Sequence, residues 1–302
     1  MRKCKRKAGD STGDLGMTRK NITFPAYGAF VIFLDINTFY VPKAGGIRTY
    51  HRAKLDWFAR QNEHVYCLIY PGPSHRVERP APSVYLIQVY GRALTADPQG
   101  YRLMLDYFRV TRWVQKLRPD VIEAGDAWLT SLYCLALRAS GLWKGLLVSF
   151  YHSDPVPSYL IPWSRRGGWL RRSIAKMGSN LFYAMQRQFD WTATASRTME
   201  LSLRQKKVEH VRRLPFGVNP VFFNAIPFGK GKPESNPKLL RLLYAGRLDK
   251  DKGIELLLEV LPALLDDPSF YMTVAGRGAF ADRFASIRHE RFHFAGFLTG
   301  EE

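Results

Sequence analysis

Apolar positions along the chain fall into two kinds of run. Short, nearly continuous runs stop at polar or glycine-rich turns: 29–36, 64–69, 84–89, 120–124, 146–150, 190–195, 211–214, 239–245, 270–275 and 294–298. Runs of that length without strict alternation predict strands buried on both faces, as in a parallel sheet. In 84–89, Tyr85, Ile87 and Val89 alternate with Leu86 and Gln88, which predicts burial mostly on one face. Between the strands, spacings of three and four predict helices over 47–60, 103–117 (stopped by Pro119), 131–140, 163–187 and 197–204, the last capped by Ser196. A further helix starts at Ile254, with Leu257, Leu258, Leu261 and Leu265 on its apolar face and Pro262 predicting a kink or early end. Strand–helix alternation of this kind predicts an α/β fold built on parallel sheets.

The length of 302 residues suits about two domains. Residues 1–27 begin with Arg2, Lys3, Lys5, Arg6 and Lys7 and continue polar and glycine-rich, which predicts a disordered basic tail rather than a signal peptide. Met17 is a second candidate start. The expected divisions are an N-terminal domain over 28–218, a linker over 219–237 rich in Gly and Pro, and the beginning of a second domain over 238–302.

The formal net charge of +19 implies an anionic partner: nucleic acid, acidic lipid or a phosphorylated substrate. No zinc-finger, RRM-like or KH-like pattern accompanies it, so nucleic-acid binding rests on charge alone and no specific nucleic acid is expected. The cysteines, Cys4, Cys67 and Cys134, are scattered and odd in number, which excludes a disulfide framework and a zinc knuckle and fits a reducing cytoplasm. No apolar stretch has the length of a membrane span.

Candidate chemistry gathers at strand ends. Gly246, Arg247 and Lys252 lie between the 239–245 strand and the helix from Ile254, where a diphosphate would meet two cations and a helix N-terminus; a solvated turn is the other reading. Gly45 and Gly46 follow the first strand and admit close backbone approach by a phosphate or sugar, or make a simple turn into a helix. His152 ends the 146–150 strand, and Asp154 stands in the polar turn after it. Glu123 and Asp126 end the 120–124 strand; each would bind an acceptor hydroxyl or cap the next helix. Residues 163–187 are cationic and aromatic. They suit an anionic membrane interface, or an ordinary surface helix packing Leu170, Ile174, Met177 and Leu181 on the sheet. Gly276-Arg277-Gly278-x-x-Ala281 matches a relaxed dinucleotide fingerprint, but in the wrong βα unit for one. His289-Glu290-x-x-His293 has the form of a zinc motif with no third ligand after it.

The stretch Tyr244-Ala-Gly-Arg-Leu-(x)3-Lys252-Gly253 resembles the donor loop of family 4 glycosyltransferases, retaining enzymes of the two-Rossmann GT-B fold. The Gly45-Gly46 loop, the strand-end His152, the segment Phe216-Gly-Val-Asn219 before Phe222, the 276–281 loop and the 294–298 strand are similar to that family's features at corresponding places. The resemblance implies that Arg247 and Lys252 hold the diphosphate of a nucleotide sugar, that Arg277 lies near the nucleotide, and that His152 makes a hydrogen bond near the reacting carbon. It implies transfer of a hexose to a lipid or glycan acceptor with retention, at a site between two Rossmann-like domains. The acceptor-side candidates are Glu123, Asp126 and Asp154. Neither metal nor cofactor is expected. The family's Glu-x7-Glu motif does not occur in these residues, so the second domain is expected to be partial, donor binding weak and turnover slight. The alternative is a catalytically incompetent fragment that binds anionic ligands or membrane. The expected setting is the cytoplasm, peripheral to the inner face of the membrane.

Overall fold

A computed structural model describes residues 30–298 except 43–45, 62, 95–99, 153, 166 and 218–238. The expected tail, the linker and Gly45 lie outside the described residues. The chain divides into two compact units, Met1–Gly217 and Val218–Glu302.

In the first unit, β1 (Ile32–Ile36), β2 (Val65–Gly72), β4 (Val84–Ala93), β6 (Val121–Ala124), β7 (Leu146–Tyr151), β8 (Trp191–Thr194) and β9 (Val211–Arg213) form a parallel sheet in the order β4-β2-β1-β6-β7-β8-β9. Two short antiparallel strands, β3 (Arg76–Ala81) and β5 (Arg102–Met104), pair with β4. The helices are α1 (Gly46–Gln61), α2 (Tyr107–Leu117), α3 (Leu129–Ala139), α4 (Ile161–Arg165), α5 (Trp169–Gln186) and α6 (Arg197–Gln205). Every residue of β2 is buried. Cys67 and Ile69 pack in one apolar layer with Ile32 and Leu34, while Tyr66, Leu68 and Tyr70 pack with Phe58 in another. Because successive strand residues face opposite ways, these are two cores on the two faces of one sheet. Parallel pairing brings the carboxyl ends of β1, β6 and β7 side by side, and it is there that ligands bind in open α/β sheets.

The structure departs from the sequence pattern in three places here. The helix expected from Leu103 begins at Tyr107, because Arg102–Met104 extend along β4 and Asp106 caps the helix by accepting from the Arg109 N–H at 3.0 Å. Residues 76–81 form an edge strand, a position that tolerates Pro80. The expected 163–187 helix is two, broken at Gly167-Gly168 and preceded by a π-helical turn at Val156–Leu160. Its expected inward face is also reversed. Ala175, Phe182, Tyr183, Met185 and Gln186 are buried, and Leu170, Ile174, Met177 and Leu181 are exposed. The helix is apolar on both sides, and the aromatic pair, with more area to bury, takes the inside.

In the second unit, β10 (Leu240–Ala245), β11 (Phe270–Ala275) and β12 (Phe292–Gly296) form a parallel sheet in that order, with α7 (Ile254–Asp266) and α8 (Ala281–Ala285). The core is Leu248, Ile254, Leu261, Leu265, Met272, Val274, Phe284 and Phe292. Helix α7 does not end at Pro262 but runs on to Asp266. The missing proline N–H is offset by burying Leu261 and Leu265 on the same face as Ile254. Residues His289 and His293 do not share a helix, since β12 begins at Phe292.

Phe284 is fully buried, and its ring lies 6.4 Å from that of Phe292 and 6.3 Å from that of Phe294. Phe284→Ala is expected to destabilise the second unit by about 3–5 kcal/mol. Limited proteolysis should then cut the second unit first and leave a resistant first-unit fragment. Uniform resistance in both would show that this core is not centred on Phe284.

Candidate functional site

At the carboxyl ends of β1 and β6, Asp35 and Glu123 are direct neighbours in register. Two carboxylates side by side in a buried position repel, and each loses hydration. Helix α1 supplies the compensation. The Lys54 ammonium donates to Asp35 Oδ2 at 2.6 Å and to Glu123 Oε2 at 3.0 Å, and Tyr50, one turn earlier, donates to Glu123 at 3.0 Å. Tyr66 donates to Asp35 from β2. The Asn37 amide orientation is set because its Oδ1 accepts from the Phe39 N–H, so Nδ2 donates to His51 Nε2 at 2.9 Å. That leaves the His51 proton on Nδ1, which faces Asp35 Oδ2 at 3.2 Å.

The electrostatics follow from the distances. Burial alone would raise the Asp35 carboxyl, but Lys54 and His51 outweigh it and hold it at about 2. Burial, and then the Asp35 charge, push Glu123 above the usual range, because the nearer carboxylate takes the larger share of Lys54. Lys54 itself is raised: burial disfavours its charge, and the two carboxylates more than restore it.

His152 stands just past the end of β7, beside this cluster. Its ring stacks on Phe150 at 4.3 Å and lies parallel to Phe216 at 6.0 Å, with the Tyr50 ring edge-on at 5.2 Å. Burial depresses it most, with His51 and the Lys54 charge adding to the effect, from 6.5 to about 4, so the imidazole is neutral at pH 7. Its Nε2 is buried and has no hydrogen-bond partner. A neutral ring with an unpartnered nitrogen at a strand end is suited to bind a hydroxyl group.

The other acceptor-side candidates are held in place. Asp126 caps α3, accepting from the Trp128 and Thr130 N–H groups at 3.1 and 3.0 Å and from the Thr130 hydroxyl. Asp154 accepts from the Val156 N–H at 3.1 Å. Gly46 opens α1, and a side chain there would meet nothing within 4 Å.

In the second unit, Gly246–Asp249 lies against the 276–279 loop, joined backbone to backbone. Gly246 N–H donates to Ala275 O at 3.0 Å, Leu248 N–H to Arg277 O at 2.9 Å, and Phe280 N–H to Leu248 O at 3.0 Å. Asp249 Oδ1 accepts from the Ala279 N–H at 3.0 Å, and its Oδ2 meets Arg247 at 3.1 Å. A Cβ on Gly276 would overlap the Gly246 carbonyl, and one on Gly278 would stand 2.5 Å from the Leu248 oxygen. The glycines of the apparent dinucleotide fingerprint therefore serve this loop-to-loop approach. Arg247 and Lys252 are exposed, Lys252 in the 3-10 turn (Lys250–Lys252) that leads through Gly253, at φ 71°, into α7. The Arg277 guanidinium stacks on the Phe297 ring at 4.5 Å. Among the described residues, no group of three or more His, Cys, Asp or Glu side chains is placed to hold a metal ion.

Asp35, Tyr50, His51, Lys54, Tyr66 and Phe216 were not among the sequence candidates. Asp35 and Glu123 did carry a signal: each is a charge inside an otherwise apolar strand, which requires a buried partner.

The sequence pattern of Glycosyltransferase Family 4 matches residues 44–222. A glycogen synthase of Mycobacterium tuberculosis (strain ATCC 25618 / H37Rv) is 26% identical over 166 residues, 55% of this chain. The match spans only 37% of that protein's length. Among solved structures, the fold is similar to an alpha,alpha-trehalose-phosphate synthase (UDP-forming) from Burkholderia xenovorans in complex with glucose-6-phosphate. That likeness has a TM-score of 0.54 and 15% identity, covering 89% of this chain and 75% of that one. It is also similar to trehalose-6-phosphate from E. coli bound with UDP-2-fluoro glucose, with a TM-score of 0.52 and 10% identity over 89% of this chain and 74% of that one. At these identities the structural likeness is one of fold.

Two outcomes follow from the first-unit cluster. Lys54→Met leaves two buried carboxylates unpaired and should cost about 3–5 kcal/mol in urea unfolding. Replacing the set together (Asp35→Asn, Lys54→Met, Glu123→Gln) should cost less than the single change, and a single-variant loss under about 1 kcal/mol would refute the cluster's role. The second concerns pH. The unfolded His152 binds a proton near pH 6.5 and the folded one only near 4, so stability is lost as pH falls through that window. His152→Phe keeps a ring in the stack and removes the titration. It should flatten the fall by up to on the order of 3 kcal/mol between the two values, read from denaturant melts at each pH. Identical pH profiles would mean that the ring is hydrated and ordinary.

Proposed function

The chain belongs to glycosyltransferase family 4, and on that premise we propose that it transfers a hexose from a nucleoside-diphosphate sugar to a lipid or glycan acceptor, with retention. The observation that carries the reading is the donor loop. Arg247 and Lys252 are exposed on a loop pinned to its neighbour by backbone hydrogen bonds, between the end of β10 and the start of α7. Cations there, together with helix N–H groups, favour a diphosphate. In the reaction the bond from the anomeric carbon to the diphosphate breaks, a bond to the acceptor hydroxyl oxygen forms, and the hydroxyl proton leaves with the diphosphate. Arg247 and Lys252 meet the charge that develops on the leaving group, a role in which fixed positive groups stand in for a metal. No cofactor is called for.

Gly246 gives the diphosphate close access to the loop, and Arg277 lies toward the nucleotide. On the acceptor side, Gly45 and Gly46 admit the sugar closely. His152 offers its neutral Nε2 to a hydroxyl near the reacting carbon, acting by position and not by covalent attack. Asp154 and Glu123 line the same strand ends, and Asp126 contributes by holding α3. The Burkholderia xenovorans relative is by its name UDP-forming, and the E. coli structure holds UDP-2-fluoro glucose; both support a nucleotide sugar as donor. Among the described residues no helix is long and apolar enough to cross a membrane. We place the protein in the cytoplasm, peripheral to the inner face of the membrane.

Arg247→Ala and Lys252→Ala are each expected to weaken nucleoside-diphosphate binding by about 1.5–3 kcal/mol, the worth of a charge-assisted hydrogen bond. Titration calorimetry on the two variants checks this. Unchanged affinity in both would remove the donor loop from the site.

A further inference from the structure

Helix α5 is apolar on two opposite sides. Ala175, Phe182, Tyr183, Met185 and Gln186 face the first unit's interior. Leu170, Ile174, Met177 and Leu181, spaced four, three and four apart, form a second stripe that is 58%, 42%, 66% and 60% exposed. Trp169 at its start is exposed, and so are Ile161 and Trp163 on the neighbouring α4. A surface helix normally turns charged residues outward and keeps one apolar stripe for the core. A contiguous outward stripe this long marks a contact surface.

The surrounding charge selects the occupant. Residues 155–189 contain no Asp or Glu, and carry Arg165, Arg166, Arg171, Arg172, Lys176 and Arg187. Arg171 follows Leu170 and Lys176 precedes Met177, so they project roughly 100° to either side of the stripe. The Arg171 guanidinium also lies over the Trp163 ring at 5.5 Å, which ties α4 to α5. A second copy of this chain would bring the same cations against each other. An anionic lipid surface instead takes apolar side chains and tryptophans between its headgroups and pairs the cations with its phosphates.

We propose that the outer face of α4 and α5 docks on anionic lipid, with Leu170, Ile174, Met177 and Leu181 entering the headgroup layer and Arg171 and Lys176 pairing with lipid phosphates. The inference rests on the peripheral reading given above and adds the surface and the mode of contact. Insertion distinguishes it from attraction by net charge alone: apolar substitutions matter as much as charged ones.

The test is flotation of the full 302-residue chain with vesicles of phosphatidylcholine, and of equal parts phosphatidylcholine and phosphatidylglycerol. The wild-type chain should float with the anionic vesicles at least about tenfold better, and tryptophan emission should shift to the blue on binding. Leu170→Glu with Met177→Glu should lower binding at least about tenfold, and Arg171→Gln with Lys176→Gln about fivefold for each charge removed. The stripe is exposed, so these variants should melt as the wild type does and bind nucleoside diphosphate equally. Wild-type binding by the Leu170→Glu, Met177→Glu variant would overturn the assignment of this face and leave the peripheral reading standing on some other surface. No flotation of the wild type with either vesicle would overturn both. A dimer in sedimentation velocity that the same variant dissociates would give the stripe to a second copy and overturn the lipid contact.

Discussion

Two carboxylates on adjacent parallel strands, with one ammonium between them, set the arrangement at the strand ends of the first unit. Asp35 and Glu123 are neighbours by register, so their closeness is imposed by the sheet and not chosen by the side chains. Among the described residues Lys54 contacts both, and it comes from α1. The ion pairs therefore fix where α1 lies along its axis. Tyr50, four residues earlier, is held by Glu123 and presents its ring to His152. A buried ion cluster of this kind is seldom the most stabilising solution, because hydrophobic replacements often match it. What it supplies here is position: a chain of contacts from Asn37 through His51, Asp35, Lys54, Glu123 and Tyr50 ends at the imidazole. Burial first, and then Lys54 and His51 of the same cluster, keep that imidazole neutral.

Much of the frame was legible in the sequence because parallel strands announce themselves as unbroken apolar runs. Leu146–Tyr151, Leu240–Ala245 and Phe270–Ala275 lie within a residue of the runs that predicted them. Ser196 caps α6 as its position required, accepting from the Met199 N–H at 3.2 Å. Less visible were the strands whose partners define them. Arg76–Ala81 is polar, contains a proline, and is a strand only because β4 offers it an edge. Arg102–Met104 reads as the start of a helix until the same edge claims it. Spacing alone was also insufficient for α5, because a helix with two apolar sides satisfies the helical period twice. The volume of Phe182 and Tyr183 decides which side turns inward, and that is a property of the cavity they fill. The candidate His152 was legible as a polar residue at a strand end, but the cluster beneath it was not. Lys54 and Asp35 are 19 positions apart, and nothing local links them.

The two units hold the loops at their strand ends by different physics. In the first, side chains carry the organisation, and protonation state matters to it. In the second, backbone groups do so: two loops exchange N–H and carbonyl bonds, and the Asp249 side chain adds one more. The first arrangement responds to pH, and the second depends mainly on the absence of side chains where the loops meet.

That last dependence reaches into how the sequence is free to change over time. The close approach at Gly276 and Gly278 makes the 246–249 and 276–279 loops a single hereditary unit, although residues 250–275 separate them in the chain. A mutation that adds a methyl group at either glycine is not repaired by adjusting its own loop, since the obstruction is the other loop's carbonyl. A lineage that varies Arg247 or its neighbours must therefore do so on a fixed backbone, changing side chains while the path of both loops stays as it is.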